Sequence, residues 1–268
     1  MVNPPPVLLA PALRAALRLS GLPEGPRRAA LAHAFRLRLT PDEAAAEHAI
    51  ARVRQRLAAS ALSVAVEDFG AGSRPGNLGE AAKPPQRRIA DIYTRAAAPP
   101  AWGRLLFELV RALQPASVLE LGTSLGVGAM HLQAALALNA LEADAPGRLV
   151  TLEGAPTLAG LAEQHLAEVP AASKTTVVEG RFDDTLGDVA AQHGPFDFVV
   201  VDGHHEAEAA LRYVGRLRPH LAPGALVILD DAEPWAAIRP AFRALAAEPG
   251  VRAVDLGKLG LLFFDGVV

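Results

Sequence analysis

The feature that most constrains the fold is a regular alternation of short apolar runs and amphipathic segments after residue 116. The apolar runs are rich in leucine and β-branched residues and lie at 117–121, 148–153, 175–179, 196–202 and 225–230. Segments with helical spacing separate them, at about 127–140, 156–168, 183–192, 206–220 and 235–248. Buried strands that alternate with helices are typical of a parallel sheet covered on both faces.

The last part of the chain departs from this alternation. Residues 251–256 and 261–265 are both predicted to be strands, and only the turn from Gly257 to Gly260 separates them. So short a connection can close only an antiparallel hairpin. We therefore predict an α/β, Rossmann-like fold with a seven-stranded, mostly parallel sheet that ends in an antiparallel hairpin.

The N-terminal region is predicted to be a helical extension. Apolar residues recur at helical spacing over residues 11–19, 26–39 and 41–61, and each of these segments starts at a proline. A segment rich in glycine and proline follows at 63–85, with a candidate short strand at 64–66, and helices resume at 86–97 and 101–113. We predict two regions: an extension and loop at 1–85, and an α/β domain at 86–268.

Composition excludes several kinds of site and partner. The chain has no cysteine, which excludes disulfides, zinc–thiolate sites, iron–sulfur clusters and cysteine nucleophiles. Its net charge of −3 gives no general attraction to nucleic acid or anionic membranes. The start lacks the features of a signal peptide, and no apolar run is long enough for a transmembrane helix. We expect a cytoplasmic protein without a nucleic-acid or membrane partner.

The first strand of the α/β domain leads through a glycine-rich turn into a helix. This segment contains Glu120, Gly122, Thr123, Ser124, Gly126 and Gly128. Gly122 permits a tight turn and a close approach of backbone to a ligand, at the sheet edge where α/β proteins bind ligands. A carboxylate at Glu120 would repel a pyrophosphate but attract an ammonium group, and the glycine spacing differs from G-x-G-x-x-G.

Acidic and aromatic residues follow the next two strands. Glu153 ends the second strand, where an acid can accept both hydroxyls of a ribose. Gly180, Phe182 and Asp183 follow the third strand and by position should border a nucleoside base. Phe182 could stack on adenine and Asp183 could accept from its amino group, although packing and helix capping explain both residues equally well.

Taken in this order, the segments make the chain resemble the class I S-adenosylmethionine (SAM)-dependent methyltransferases over about residues 86–268. That family has a carboxylate and glycine loop after strand one, an acid after strand two, an acidic end to strand four and a terminal hairpin. The resemblance implies SAM as the cofactor, bound by the glycine loop, Glu153, the segment 180–183 and Asp202.

Three carboxylates are expected to meet at the same edge of the sheet. Asp202 ends the fourth strand, and Asp230 and Asp231 end the fifth. Clustered carboxylates repel one another unless something positive lies between them, and a hard divalent cation has the required oxygen preference. The arrangement is similar to the metal-dependent O-methyltransferases of the catechol and caffeoyl-CoA type and to bacterial enzymes that methylate sugars and antibiotics. This resemblance implies a metal, Mg²⁺ by default, held by the three aspartates, with Asp202 also contributing to catalysis.

The resemblance also suggests a general base. Three residues after Asp202 the catechol-type enzymes have a lysine and some sugar-modifying relatives a histidine, and here the residue is His205. His205 is therefore the candidate base, with helix capping as the alternative. His204 is expected to be a plain surface histidine rather than a metal ligand or substrate contact.

Four further residues could contribute to an acceptor pocket. Arg74, in the glycine-rich segment 68–74, and Arg88 could bind an anionic substrate, and that segment could act as a lid or be a structural turn. Trp102 and Trp235 could wall a pocket for an aromatic acceptor, although tryptophans more often serve packing.

The favoured function is a divalent-metal-dependent O-methyltransferase that acts on a small hydroxylated molecule. The alternative is a metal-independent SAM methyltransferase with an oxygen or nitrogen acceptor. A NAD-linked oxidoreductase and a non-catalytic SAM-binding protein fit less well, because Glu120 and the terminal hairpin oppose the first and the polar strand ends oppose the second. A homodimer is expected because relatives of this kind often associate. The sequence does not identify the acceptor.

Overall fold

The computed structural model describes residues 39–67, 84–142, 146–171 and 175–265. The predicted helix at 11–19, nearly all of the one at 26–39, and the glycine-rich segment 68–74 with Arg74 lie outside the described residues. Within the described ranges, no helix combines the length and apolarity needed to cross a membrane.

Nine strands are described. They are β1 (Ser63–Ala65), β2 (Gln86–Arg88), β3 (Ser117–Leu121), β4 (Arg148–Glu153), β5 (Thr175–Glu179), β6 (Phe196–Val201), β7 (Leu221–Leu229), β8 (Val251–Asp255) and β9 (Gly260–Phe264). The last seven form one sheet in the order β5-β4-β3-β6-β7-β9-β8. Strands β3 to β7 are parallel, and β9 runs antiparallel between β7 and β8. The predicted seven-stranded sheet with a terminal hairpin is confirmed.

Eight α-helices are described alongside these strands. They are α1 (Pro41–Ala58), α2 (Ile89–Ala96), α3 (Pro100–Leu113), α4 (Val127–Ala140), α5 (Pro156–Leu166), α6 (Phe182–His193), α7 (Ala207–Leu217) and α8 (Arg239–Ala246), with a short 3₁₀ helix at Arg218–His220. One predicted helix, at 86–97, begins later than expected because residues 86–88 pair as β2 with β1. Helix α8 also begins four residues after the predicted start at 235.

The sheet separates two hydrophobic cores. Successive residues of a strand point to opposite faces, so Phe198 and Val200 enter one core while Val199 and Val201 enter the other. Helices α1, α3, α4 and α5 cover the first face, and α6, α7 and α8 cover the second. Burial on both faces explains why the parallel strands are continuous apolar runs in the sequence.

Helix α1 belongs to the first of these cores. It begins with a capping box, in which the Thr40 hydroxyl accepts from the Glu43 amide and the Glu43 carboxylate accepts from the Thr40 amide. Ile50 and Val53 are each 1% exposed and pack in the core that contains the central strands. The described part of the extension therefore packs against the α/β domain, and the boundary at residue 85 remains a prediction.

Candidate functional site

A cavity of about 830 Å³ lies at the carboxyl ends of β3, β4, β6 and β7. Loops after these strands form one wall, and helix α2 with residues 96–99 forms the other. Of the predicted cofactor residues, those that line the cavity are Gly122, Ser124, Glu153, Phe182, Asp183 and Asp202. Open α/β sheets bind ligands at this edge, so the predicted residues do converge on a ligand-sized space.

The glycine loop is shaped by close backbone contacts. Gly122 has a φ of 108°, and a Cβ atom there would overlap the carbonyl oxygen of Asp202 on the neighbouring strand. A Cβ atom at Gly128 would overlap the carboxylate of Glu120. The other predicted loop residues, Thr123 and Gly126, together with Gly180 after β5, are not among the described residues that line the cavity. Gly126 and Gly180 have positive φ values of 82° and 138°, and the Thr123 hydroxyl lies 2.5 Å from that of Thr151.

Glu120 lies beneath the glycine loop. It is 1% exposed, it is not among the described cavity-lining residues, and its carboxylate accepts from the Thr151 hydroxyl at 2.5 Å beneath the loop. Burial, partly opposed by the Thr151 hydrogen bond, raises its pKa to about 7. The structure therefore places Glu120 beneath the loop and not among the described residues of the cavity wall, and its interaction with a ligand ammonium stays a prediction.

Glu153 connects β4 to the glycine loop. One carboxylate oxygen accepts from the Ser124 amide at 2.7 Å, and the other accepts from the Ala155 amide at 2.9 Å. The side chain lines the cavity and is only partly buried. These two bonds fix the carboxylate at the end of β4, the position at which the sequence predicts a ribose contact.

The segment after β5 contains one residue with an unpredicted partner. Asp183 accepts two hydrogen bonds from Arg212 at 2.9 and 3.0 Å, and the Arg212 bonds lower its pKa. Its predicted hydrogen bond to an adenine amino group must therefore compete with a bidentate ion pair. Phe182 packs edge-on against Tyr213, with ring centroids 5.6 Å apart, and its ring remains part of the cavity wall.

The three predicted carboxylates all line the cavity, and two of them are in contact. Asp202 follows β6 and Asp230 follows β7, and the two side chains are in hydrogen-bonding contact. Burial and the Asp230 carboxylate raise the pKa of Asp202 well above its ordinary value. His205 lies beside them, with Nε2 3.9 Å from Asp202 Oδ1 and Nδ1 3.7 Å from Asp231 Oδ2.

Lys258 is a member of this cluster that the sequence analysis missed. Its Nζ lies 2.9 and 3.1 Å from the two carboxylate oxygens of Asp230 and also contacts Asp231. Although burial lowers the pKa of Lys258, the two carboxylates raise it above its ordinary value. The predicted hairpin could have revealed this residue, because β9 runs antiparallel to β7 and returns the turn 256–259 to the carboxyl end of β7.

The donor set suits a divalent cation in its chemistry. It offers three carboxylates, and Oδ1 of Asp230 is buried without a well-aligned hydrogen bond. In the described part of the chain, however, no three His, Asp or Glu side chains stand ready in a metal-binding arrangement. The positive charge beside Asp230 and Asp231 is the ammonium group of Lys258.

His204 is not a plain surface histidine, which corrects the expectation from sequence. It has a φ of 51°, and its Nδ1 lies 3.0 Å from the hydroxyl of Tyr213, a residue that is 1% exposed. Tyr213 lies on α7 and was not singled out in the sequence, since its spacing there is that of an ordinary core residue.

The two tryptophans occupy different environments, and neither lines the main cavity among the described residues. Trp102 is 6% exposed and packs behind Asp202 and Asp230, whereas Trp235 is 73% exposed.

Arg88 does line the cavity, as an anion-binding role requires.

Known proteins with similar sequences and folds were found. Residues 119–232 match a family described as a methyltransferase domain. A catechol O-methyltransferase of Mycobacterium tuberculosis is 33% identical over 175 residues, which cover 61% of this chain and 75% of that protein. A catechol O-methyltransferase of Niastella koreensis is 27% identical over 183 residues, covering 63% of this chain and 78% of that protein. The SAM complex of the O-methyltransferase TomG from Streptomyces achromogenes, involved in tomaymycin synthesis, superposes with a TM-score of 0.51 at 27% identity, covering 64% of this chain and 82% of that one.

Proposed function

Since the chain belongs to the class I SAM-dependent O-methyltransferases, we propose that it methylates a hydroxyl group of a small molecule at the cluster formed by Asp202, Asp230, Asp231 and His205. The observation that carries this proposal is the convergence of these side chains on the same cavity as the glycine loop and Glu153. A cofactor site and an acceptor site must share one space if a methyl group is to pass directly between them.

In this proposal SAM occupies the part of the cavity bordered by β3, β4 and the segment after β5. Glu153 accepts from the ribose hydroxyls, Phe182 packs on the adenine, and the backbone at Gly122 and Ser124 contacts the methionine portion. The fixed orientation of Glu153 supports this placement, since two backbone amides already hold its carboxylate at the cavity wall.

Asp202, Asp230 and Asp231 would hold a divalent cation, with Mg²⁺ as the natural choice for oxygen ligands. When bound, the cation supplies a Lewis acid that lowers the pKa of the acceptor hydroxyl and orients it. Oδ1 of Asp230 supports this assignment, because it is buried without a well-aligned hydrogen bond although the Lys258 ammonium lies 2.9 Å away. Since curated relatives are named as catechol O-methyltransferases, an acceptor with adjacent hydroxyl groups is the first to test.

His205 is proposed as the general base. Its Nδ1 is buried without a hydrogen-bond partner among the described residues, and the residue lines the cavity. It would take the proton of the acceptor hydroxyl while the hydroxyl oxygen bonds to the methyl carbon of SAM. The bond between that carbon and the sulfur breaks, and the sulfur keeps its electron pair, which leaves S-adenosylhomocysteine.

A metal-independent mechanism is the second candidate, and the position of Lys258 favours it. Its ammonium already balances Asp230 and Asp231, so the cluster does not require a metal for charge compensation. In that case His205 acts without Lewis-acid help, and the acceptor atom is oxygen or nitrogen.

The test is methyl transfer from labelled SAM to catechol by protein treated with EDTA and dialysed, with and without added Mg²⁺. Activity restored by Mg²⁺ supports the metal-dependent mechanism, and activity that survives chelation supports the second candidate. Asp230→Ala should abolish the Mg²⁺ response, whereas Asp184→Ala, which removes an exposed acid elsewhere, should not. If calorimetry detects no binding of S-adenosylhomocysteine, the proposed cofactor site is contradicted.

Two predictions from the sequence are carried into this proposal without change. We propose that the enzyme works in the cytoplasm on small molecules and forms a homodimer. Light scattering after gel filtration measures the oligomeric state, and a monomer at micromolar concentration would contradict the dimer.

A further inference from the structure

The backbone of Lys258 is fixed in the hairpin turn, and its side chain extends from that turn to Asp230 and Asp231. The Ala232 amide donates to the Lys258 carbonyl at 2.7 Å, and the Leu256 amide donates to the Leu259 carbonyl at 3.0 Å. Leu259, the next residue, is 2% exposed in the core. The turn is therefore anchored on both sides, and the freely rotating part of Lys258 is its four-carbon side chain.

The ammonium of Lys258 covers the oxygens that the proposed metal would need. It lies 2.9 Å from Oδ1 and 3.1 Å from Oδ2 of Asp230, and it contacts Asp231 as well. A Mg²⁺ ion sits about 2.1 Å from its carboxylate ligands. Two cations cannot occupy this one space, because they would repel each other at close range in a partly buried site.

We propose that Lys258 is a built-in competitor of the divalent cation, which must displace its ammonium from Asp230 and Asp231 in order to bind. The inference rests on the proposed function only in taking these aspartates as the metal site. It makes Lys258 a positioning residue that sets metal affinity, and it explains how three clustered carboxylates persist when no metal is bound.

Removal of the ammonium should therefore strengthen metal binding. In Lys258→Met the chain keeps its length and apolar stem, but the carboxylates are left without compensation and attract a cation more strongly. Lys258→Arg keeps the charge and serves as the matched control. We expect Mn²⁺ to bind the methionine variant roughly tenfold or more tightly than the wild type, and the arginine variant no more tightly than the wild type.

The experiment titrates the full chain with Mn²⁺ alone and reads the free ion by electron paramagnetic resonance, so that it needs no catalytic activity. Equal or weaker Mn²⁺ binding by Lys258→Met overturns the proposal, as does a failure of Mn²⁺ to bind any of the three proteins. If the methionine variant does not fold, Lys258→Gln, which keeps a polar group without the charge, takes its place.

A measurement on the wild-type protein needs no variant. Addition of Mg²⁺ should shift the side-chain NMR signal of Lys258 as the ammonium leaves the carboxylates, and an unchanged signal at saturating Mg²⁺ overturns the proposal. A parallel titration with S-adenosylhomocysteine separates the two ideas. If S-adenosylhomocysteine binds but the Lys258 signal does not respond to Mg²⁺, only the competitor role is rejected. If S-adenosylhomocysteine does not bind, the proposed function is rejected, and the Mn²⁺ titration still tests the competitor role.

Discussion

The imidazole of His204 and the hydroxyl of Tyr213 lie 3.0 Å apart, and this contact joins the loop after β6 to the buried face of α7. The loop carries both Asp202 and His205, so its position determines where these two proposed site residues lie. His204 adopts a φ of 51°, a conformation that costs a residue other than glycine about 1 kcal/mol. Its hydrogen bond to Tyr213 helps to offset that cost.

Removal of the Tyr213 hydroxyl should therefore loosen the loop without emptying the core. We expect Tyr213→Phe to lower the free energy of unfolding by about 1 kcal/mol, because the hydrogen bond to His204 is lost and the ring remains. Methyl transfer should slow while S-adenosylhomocysteine affinity stays constant. Chemical denaturation and steady-state kinetics measure the two effects. A double-mutant cycle with His204→Ala that shows no coupling would contradict the proposed link.

The buried carboxyl of Glu120 predicts an unusual dependence of stability on pH. Its pKa of about 7 in the folded state lies above the ordinary value of 4.5, so folding retains a proton that the unfolded chain releases. Stability from this group is fully present below about pH 4.5 and is lost as the pH rises towards 7. The loss is on the order of 3 kcal/mol.

Glu120→Gln should remove that dependence, since an amide does not titrate. The variant should gain stability relative to the wild type as the pH rises from 5 to 8, as measured by urea denaturation without ligand. A constant difference across this range would show that Glu120 is ionised in the folded state. Glu163→Gln, on the surface of α5, is the control and should show no comparable trend.

Two arginines on α1 provide a matched pair for testing how the extension is fastened. Arg54 is 9% exposed, donates to the Ala98 carbonyl at 2.8 Å and lies over the ring of Tyr93. Arg56 forms an ion pair with Glu168 in which both side chains are largely exposed.

Arg54→Met should lower the free energy of unfolding by about 1–3 kcal/mol, because it leaves a buried carbonyl without a donor. Arg56→Met should cost less than about 1 kcal/mol, since solvent already screens its ion pair. Thermal and urea denaturation measure both changes. Equal effects from the two variants would argue against Arg54 as a fastening point, and because Ala98 lines the cavity, Arg54→Met should also weaken acceptor binding.

Replacement of the candidate base tests the chemistry directly. His205→Gln should lower the rate of methyl transfer about 10²- to 10⁴-fold and leave the affinity for S-adenosylhomocysteine unchanged. Single-turnover kinetics and calorimetry separate these quantities. His48→Gln removes an exposed histidine on α1 and should have no effect. A His205 variant with nearly full activity would assign proton removal to another group or to water.

The sequence predicted the course of the backbone more completely than it predicted the contacts between side chains. Strands β3, β4 and β5 have the predicted bounds, because runs buried on both faces are continuous in sequence and end at polar turns. The meeting of Asp202 with Asp230 also followed from the parallel order of the strands. By contrast, the pairing of Asp183 with Arg212 depends on the packing of α6 against α7. The local sequence around either residue does not indicate that the two side chains are close in space.

Glu120 and Lys258 illustrate two different things that the structure adds to the sequence. The position of Glu120 was predicted correctly, but the direction of its side chain depends on Thr151 and Gly128, which only the assembled sheet brings together. Lys258 could have been found by following the hairpin back to the end of β7. It was treated as a turn residue because turn composition alone explains its neighbours Gly257 and Gly260.

Helix α1 shares one core with the central sheet, and this has a consequence for how the protein can be cut. The segment that matches the methyltransferase domain family spans residues 119–232, whereas the core also draws on Ile50 and Val53. A fragment starting at residue 86 would expose the faces of α2 and α4 that α1 now covers. The segment that matches the family model is thus smaller than the unit that shares one core, and we expect residues 41–265 to melt in a single transition.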